Sequence, residues 1–167
     1  PFVKWVGGKR QLLSEIEKHL PSKFVTYYEP FIGGGALLFH IQPKNAIIND
    51  FNAELINLYT VIKENPLELI ADLKKHKNEA DYFYEIRSLD RDREKFSALT
   101  NIERASRIIF LNKTCYNGLF RVNSSGEFNT PFGRYKNPNI VNGITIKAVS
   151  LYLNNSNVLI MNGDFEE

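Results

Sequence analysis

The chain has 167 residues, enough for one ordinary domain or one domain carrying an insertion. Hydrophobic residues make up 43% and charged residues 24%, the balance of a globular protein rather than a disordered or fibrous one. No apolar run approaches the roughly 20 residues that span a bilayer, and a single cysteine, Cys115, excludes a disulfide framework and a cysteine-rich metal site.

The opening run Phe2-Val3-Lys4-Trp5-Val6-Gly7-Gly8-Lys9-Arg10 is apolar, then broken by glycine, then helical. Leu12, Leu13, Ile16 and Leu20 recur on one helical face, and Pro21 closes that helix. Gly7-Gly8 ahead of a helix is a possible anion or cofactor cradle with Lys9 adding charge. An ordinary loop and cap, with Trp5 in the core, is the reading these residues favour when taken alone.

A β-prone run over 24–28 leads into Tyr28-Glu29-Pro30-Phe31-Ile32-Gly33-Gly34-Gly35, and a helical apolar run over 36–41 leads out. Three glycines remove every Cβ from the joint, so a ligand can lie against bare backbone, with the N–H groups of the next helix aimed at it. Strand, glycine turn and helix form the nucleotide-binding corner of an open α/β sheet. Leu38 stands where the dinucleotide fingerprint needs Gly or Ala, which disfavours a nicotinamide dehydrogenase. A purely structural turn stays open. The next strand, Ala46-Ile47-Ile48, ends in Asn49-Asp50, and Asp50 stands where a ribose diol is commonly held.

Helices are expected over 53–63, with Leu55, Ile56, Tyr59 and Ile62 inward, and from Pro66 to about residue 77. A further helix is expected over 80–89. The charge run over 90–95 reads as a solvated helix end or loop. Thr100-Asn101-Ile102-Glu103 matches a capping box opening another helix. Val158-Leu159-Ile160-Met161 is a continuous apolar run, as buried parallel strands show. Asp164 and Phe165 follow it, at a strand carboxyl end that faces the ligand crevice, suited to hold an adenine ring. A helix N-cap at Asp164 is compatible with that role.

Charge is unevenly spread. Residues 64–103 net −3, whereas 104–137 carry six basic residues against Glu127 alone and net +5. Ser124-Ser125-Gly126 is turn chemistry between β-prone arms 119–123 and 127–130, a hairpin signature. Basic residues among aromatics and Asn suit a nucleic-acid surface. Arg and Asn pair with guanine and adenine, apolar Leu119 or Pro131 can meet a thymine methyl, and Tyr116 is suited to stack on a base or wedge into the duplex. An exposed polar hairpin without a ligand fits the same composition.

Three motifs stand in a fixed order: 2–9, then 29–35 with Asn49-Asp50, then Tyr116-Asn117-Gly118-Leu119-Phe120-Arg121 to Pro131-Phe132-Gly133-Arg134-Tyr135. Together they resemble the Dam family of DNA adenine-N6 methyltransferases over essentially the whole chain. The resemblance implies a Rossmann-like α/β sheet that uses S-adenosylmethionine, over 1–57 and 144–167. It also implies a mostly helical target-recognition insertion carrying a β-hairpin over 58–143. It implies cofactor contacts from Trp5, Lys9, Phe31, Gly33, Gly35, Asp50, Asp164 and Phe165. It implies that Arg121 reads the first guanine of GATC, that Leu119 and Pro131 are thymine-side contacts, and that Tyr116 and Asn117 stabilise the gap left by a flipped adenine. Arg134 would anchor a phosphate. Expected partners are S-adenosylmethionine and double-stranded DNA, with no metal and no membrane, in a monomeric cytoplasmic protein without a leader. The family's Asp-Pro-Pro-Tyr tetrapeptide does not occur in the sequence. It is expected roughly one βα step beyond Glu167, in a longer protein. The alternatives are a non-catalytic DNA-binding module, or a methyltransferase of the same fold acting on RNA or small molecules.

Overall fold

The computed structural model describes residues 2–166. Three strands, β1 (Tyr27–Glu29), β2 (Asn45–Asp50) and β3 (Asn157–Asn162), form a wholly parallel sheet in that order. Helix α2 (Ala36–Ile41) crosses from β1 to β2. The connection from β2 to β3 holds six helices: α3 (Ala53–Glu64), α4 (Pro66–Leu73), α5 (Ala80–Ser88), α6 (Arg93–Ala98), α7 (Asn101–Thr114) and α8 (Gly143–Asn155). A 3-10 turn (Lys9–Leu12) and α1 (Leu13–His19) precede them all.

β1 begins later than its β-prone sequence suggests. Its register pairs Tyr27 with Ala46, so residue 24 would have to pair alongside Pro43, which has no N–H to give. Phe24 and Val25 are accordingly exposed. Likewise Leu12 points outward, and only Leu13, Ile16 and Leu20 of that face reach the core. α4 stops at Leu73, four residues short of the expected end. Leu73 is its last buried apolar residue, and the Lys74 N–H turns to Ala71 and Asp72 carbonyls as the helix closes.

α3 occupies the centre. Asn52 caps it by accepting the Leu55 N–H (3.0 Å), and Leu55, Leu58, Tyr59 and Ile62 are fully buried against α7, α8 and the sheet. Burying each such side chain contributes about 1.5–3 kcal/mol. The capping box opens α7: Glu103 N–H reaches Thr100 Oγ1 (3.2 Å), and Thr100 N–H reaches Glu103 Oε2 (2.8 Å). Helix α8, which sequence reading did not anticipate, carries Ile146, Val149 and Leu153 on one face behind the Asn142 cap. Its signal was present at i, i+3 and i+7. The sheet face opposite to α3 shows Tyr28, Leu159 and Met161 to solvent.

A second cluster, Phe83, Phe110, Leu111, Cys115 and Phe128, joins α5 and α7 to the segment after α7. Beside it, His76 bridges the hydroxyls of Tyr82 and Ser106, each at 2.9 Å, and stacks on Phe110 at 4.5 Å. Burial, with Lys75 nearby, pushes the His76 pKa down to about 4. The Cys115 thiol is pushed up to about 11 by burial, so it is an inert core side chain.

Candidate cofactor and nucleic-acid site

The site begins where β1 gives way to the glycine turn. Ile32 N–H donates to the Asn49 carbonyl (2.9 Å), and Gly33 N–H donates to Asp50 Oδ2 (3.0 Å). Asp50 Oδ1 takes the Asn52 N–H (3.0 Å), so one carboxylate at the end of β2 ties the turn to the start of α3. The Tyr59 hydroxyl, fully buried on α3, donates to the Gly33 carbonyl (2.9 Å).

Two glycines here are obligatory. Gly33 (φ +50°) lies under the Trp5 ring, and a Cβ there would stand 3.0 Å from Trp5 Cδ1. Gly35 (φ +69°) faces inward, where a Cβ would sit 2.5 Å from Phe39 Cε2 and 2.6 Å from the Tyr59 oxygen. Gly33 therefore shapes the wall of the cavity beside it, while Gly35 supports the turn from behind. α2 spans six residues, too few to build much of a dipole. The cradle rests on the turn backbone and Asp50.

Lys9 does something other than add net charge. Its Nζ donates to Glu29 Oε1 and to the Phe31 carbonyl, both at 2.8 Å. Glu29 is buried, and its other oxygen takes the Tyr27 hydroxyl at 2.7 Å. Burial, followed by the Glu29 carboxylate, pushes the Tyr27 phenol well up and keeps it a neutral donor. The ammonium is balanced by a carboxylate and clamps the Phe31 carbonyl, fixing the approach to the turn.

Trp5, Lys9, Phe31, Gly33 and Asp50 come together around one cavity of about 260 Å³, with Gly7, Gly8 and Glu29. Phe165 joins from the exit of β3, its ring 5.1 Å from that of Phe31. Asp164 and Phe165 line a neighbouring hollow of about 190 Å³ with Tyr28, Pro30, Asn49 and Met161. Asn49 Nδ2 bonds the Gly163 carbonyl (3.0 Å), which draws the β3 exit towards β2. Asp164 Oδ1 accepts the Glu166 N–H (3.2 Å), a turn-capping contact.

A larger cavity of about 620 Å³ shares Trp5, Val6, Gly7, Gly8, Gly34 and Ala36 with the first. It runs from the glycine turn to Asn117, Gly118 and Leu119, past Lys4, Arg10 and Lys113. Asn112, buried on α7, closes this corner. Its Oδ1 takes the Lys4 N–H (2.9 Å), and its Nδ2 donates to the carbonyls of Lys4 (2.8 Å) and Gly118 (3.1 Å). Trp5 stacks on Phe120 at 4.4 Å. Lys4, Lys113, Asn112 and Glu29 were not singled out from sequence. Lys4 lay hidden in an apolar run, and nothing local marks Asn112 as a clamp.

Tyr116, Asn117, Leu119, Arg121, Pro131 and Arg134 are all exposed. Tyr116 N–H donates to the Pro131 carbonyl (2.8 Å), and Thr130 Oγ1 to the Leu119 carbonyl (2.6 Å), which brings the two ends of the segment together. Asn117 and Arg134 adopt positive φ (+54° and +55°). The arms expected to pair as strands meet in one antiparallel bridge, Val122 with Phe128. The turn between them is held by Asn123 Oδ1, which accepts the N–H groups of Ser125 and Glu127, both at 3.0 Å. The charge run over 90–95 is a helix end, as expected, with Arg91, Arg93, Glu94 and Lys95 exposed; Asp90 is the largely covered member, and with Arg91 it bonds the Phe128 backbone ahead of helix α6 (Arg93–Ala98).

The parallel α/β corner, with its carboxylate-braced glycine turn, thus opens through the larger cavity towards the exposed basic segment. Residues 5–167 match the model of the D12 class N6 adenine-specific DNA methyltransferases. The chain belongs to this family. It is 50% identical over its whole length to a type II methyltransferase, M1.LlaDCHI, of Lactococcus lactis subsp. cremoris, and covers 59% of that relative. It is 43% identical to the type II methyltransferase M.MjaIII of Methanocaldococcus jannaschii over 99% of the chain and 62% of the relative. Identity to a DNA adenine methylase of Serratia marcescens is 40%, over 82% of the chain and 50% of that protein. The chain thus spans roughly half to three-fifths of the length of these relatives.

The D12 chain has a donor set that fits a nucleoside-type methyl donor. Asp50 keeps a second lone-pair site on each oxygen for a diol, the Gly33 turn presents backbone where a Cβ would crowd Trp5, and Phe31 and Phe165 offer ring faces. Among the described residues, no group of three or more His, Cys, Asp or Glu side chains could hold a metal, and no helix is long and apolar enough to cross a membrane.

Proposed function

We propose that the full-length protein transfers a methyl group from S-adenosylmethionine to N6 of adenine in duplex DNA, at GATC, with the target adenine flipped out of the stack. The observation that carries this reading is the trough shared by two cavities. It joins the Asp50–Gly33 corner to Asn117 and Leu119 on the basic segment, so a donor and a displaced base can meet inside it.

Asp50 takes the ribose hydroxyls, Trp5, Phe31 and the turn at Gly33 bound the donor, and Gly35 keeps that turn in place. Lys9 holds the Phe31 carbonyl, while Asp164 and Phe165 take the donor's adenine. The group supplies an electrophilic methyl on a sulfonium, so the chain's task is to bring acceptor and methyl into line, largely by positioning. N6 cannot be reached inside the duplex, and flipping costs a few kcal/mol by rough estimate. Tyr116 and Asn117 fill the gap that flipping leaves. Arg121 reads a guanine, Leu119 and Pro131 meet a thymine side, and Arg134 anchors a phosphate. In this reading residues 1–57 and 144–167 hold the donor and 58–143 hold the DNA. The protein acts as a monomer, in the compartment that holds the DNA.

The test is to incubate the full-length protein with methyl donor and a GATC duplex, a scrambled duplex or an RNA of the same sequence, and to measure N6-methyladenine. Methylation confined to the GATC duplex is expected. DNA binding without donor binding in calorimetry would favour a non-catalytic module, and methylated RNA would move the substrate class.

A further inference from the structure

The return arm of the basic segment is held from outside by charged side chains that have no task in the reading above. Asp90 and Arg91 lie in the 3-10 turn Leu89–Arg91 that follows α5. Phe128 N–H donates to Asp90 Oδ2 (2.8 Å), and Arg91 Nη2 donates to the Phe128 carbonyl (2.7 Å). Two side chains thus do for Phe128 what a neighbouring strand would do. Phe128 needs this, because its own ladder is a single bridge to Val122.

The grip is braced in turn. Arg107, 3% exposed on α7, forms an ion pair from Nη2 with Asp90 Oδ2 (2.8 Å), and donates from Nε to the Ile86 carbonyl (2.9 Å) and from Nη2 to the Arg87 carbonyl (2.8 Å). Arg91 Nη1 donates to Asp90 Oδ1 (2.6 Å) and to the Arg87 carbonyl (3.0 Å), and Arg87 Nη1 reaches the Thr130 carbonyl (3.2 Å). A surface charge run has no use for so many directed bonds, since exposed pairs contribute little.

One residue beyond Phe128, Asn129 holds Arg121. Its Oδ1 takes Arg121 Nε (2.7 Å), its carbonyl takes Nη2 (3.4 Å), and its N–H donates to the Arg121 carbonyl (3.0 Å). These contacts occupy the Nε/Nη2 side of the guanidinium. The opposite Nη1/Nη2 edge keeps its donors for a base, and its plane is set by where Asn129 stands.

We propose that Asp90 and Arg91 are positioning residues for base reading: they lock Phe128 and so, through Asn129, set the plane in which Arg121 offers its guanidinium to one base pair. This rests on the duplex-DNA reading above and deepens it. A brace that merely stabilised the segment would change melting without changing which base is preferred.

The test uses the full-length protein and a duplex library randomised around one adenine, with binding preference read position by position. Arg121→Ala identifies the position that Arg121 reads. Arg91→Met keeps the aliphatic stem and leaves Asp90 to balance Arg107, so the fold is retained; a thermal melt verifies this. In Arg91→Met, preference at the Arg121 position falls by about five- to tenfold, a sizeable part of what a bidentate contact to a base supplies. Preference at the other positions stays within about twofold, as expected for sites that share no partner. Arg91→Lys restores part of the loss. Unchanged preference at that position, weakening spread evenly over all positions, or a lowered melt with preference intact would each overturn the proposal. A wild-type protein with no base preference at any position defeats the duplex-reading function itself, and this inference with it.

Discussion

Asp50 is the side chain on which the proposed donor site turns, and Asp50→Asn isolates its role with little change of shape. Its carboxylate already accepts two backbone N–H groups, from Gly33 and Asn52, both at 3.0 Å. An amide keeps one acceptor oxygen and sets an NH2 against the other N–H group. One internal bond is therefore lost, worth about 1 kcal/mol of stability. The larger effect falls on the ligand, because hydroxyls donating to a carboxylate form charge-assisted bonds of about 1.5–3 kcal/mol. S-adenosylmethionine affinity should fall roughly 10- to 150-fold, measured by isothermal titration calorimetry on the full-length protein. Duplex affinity, measured by fluorescence anisotropy at fixed salt, should hold, because Asp50 lies on the turn side of the trough and not on the exposed basic segment. A folded variant that binds the donor as the wild type does would refute the reasoning. So would an equal loss of duplex affinity.

Other perturbations probe separate parts of the molecule. Gly35→Ala combines a left-handed backbone with overlap on Phe39 and Tyr59; it should destabilise by about 2–5 kcal/mol in denaturant titration, from backbone strain and overpacking together, and a loss under 1 kcal/mol would contradict the geometry. Arg121→Ala removes an exposed side chain bonded to Asn129 alone; it should cost about 1–3 kcal/mol of discrimination at one guanine with little change in stability, and equal weakening on every duplex sequence would remove its base-reading role. His76, held near 4 in the fold against 6.5 when free, binds fewer protons folded than unfolded between those values. Its contribution, at most about 3 kcal/mol, is present above pH 6.5 and is lost as the pH falls towards 4. His76→Phe should flatten the stability profile in that window, and an unchanged slope would show that other groups produce it.

Much of the scaffold was legible residue by residue. Apolar spacing marked α3, Thr100 and Glu103 marked the start of α7, and three successive glycines marked the turn. Each is a local pattern whose physics is complete within a few residues. α8 was equally local, with Asn142 ahead of Ile146, Val149 and Leu153, and went unread because it sits beside a segment rich in loop residues. The start of β1 was not local, since it depends on Pro43, just ahead of the partner strand.

By itself the sequence determined which residue types stand at the site: a carboxylate at the end of β2, bare backbone before α2, and aromatics and basic residues from 112 to 135. Only the tertiary structure decided what several of them do. Lys9 reads as a free charge and is instead neutralised by Glu29, twenty residues away. Asp90 reads as solvated and is instead largely covered, and together with the exposed Arg91 it grips Phe128 across thirty-eight and thirty-seven residues of chain. The reason is physical. A charge takes its role from the partner that desolvation forces upon it, and that partner is chosen by packing between helices, which no local pattern records.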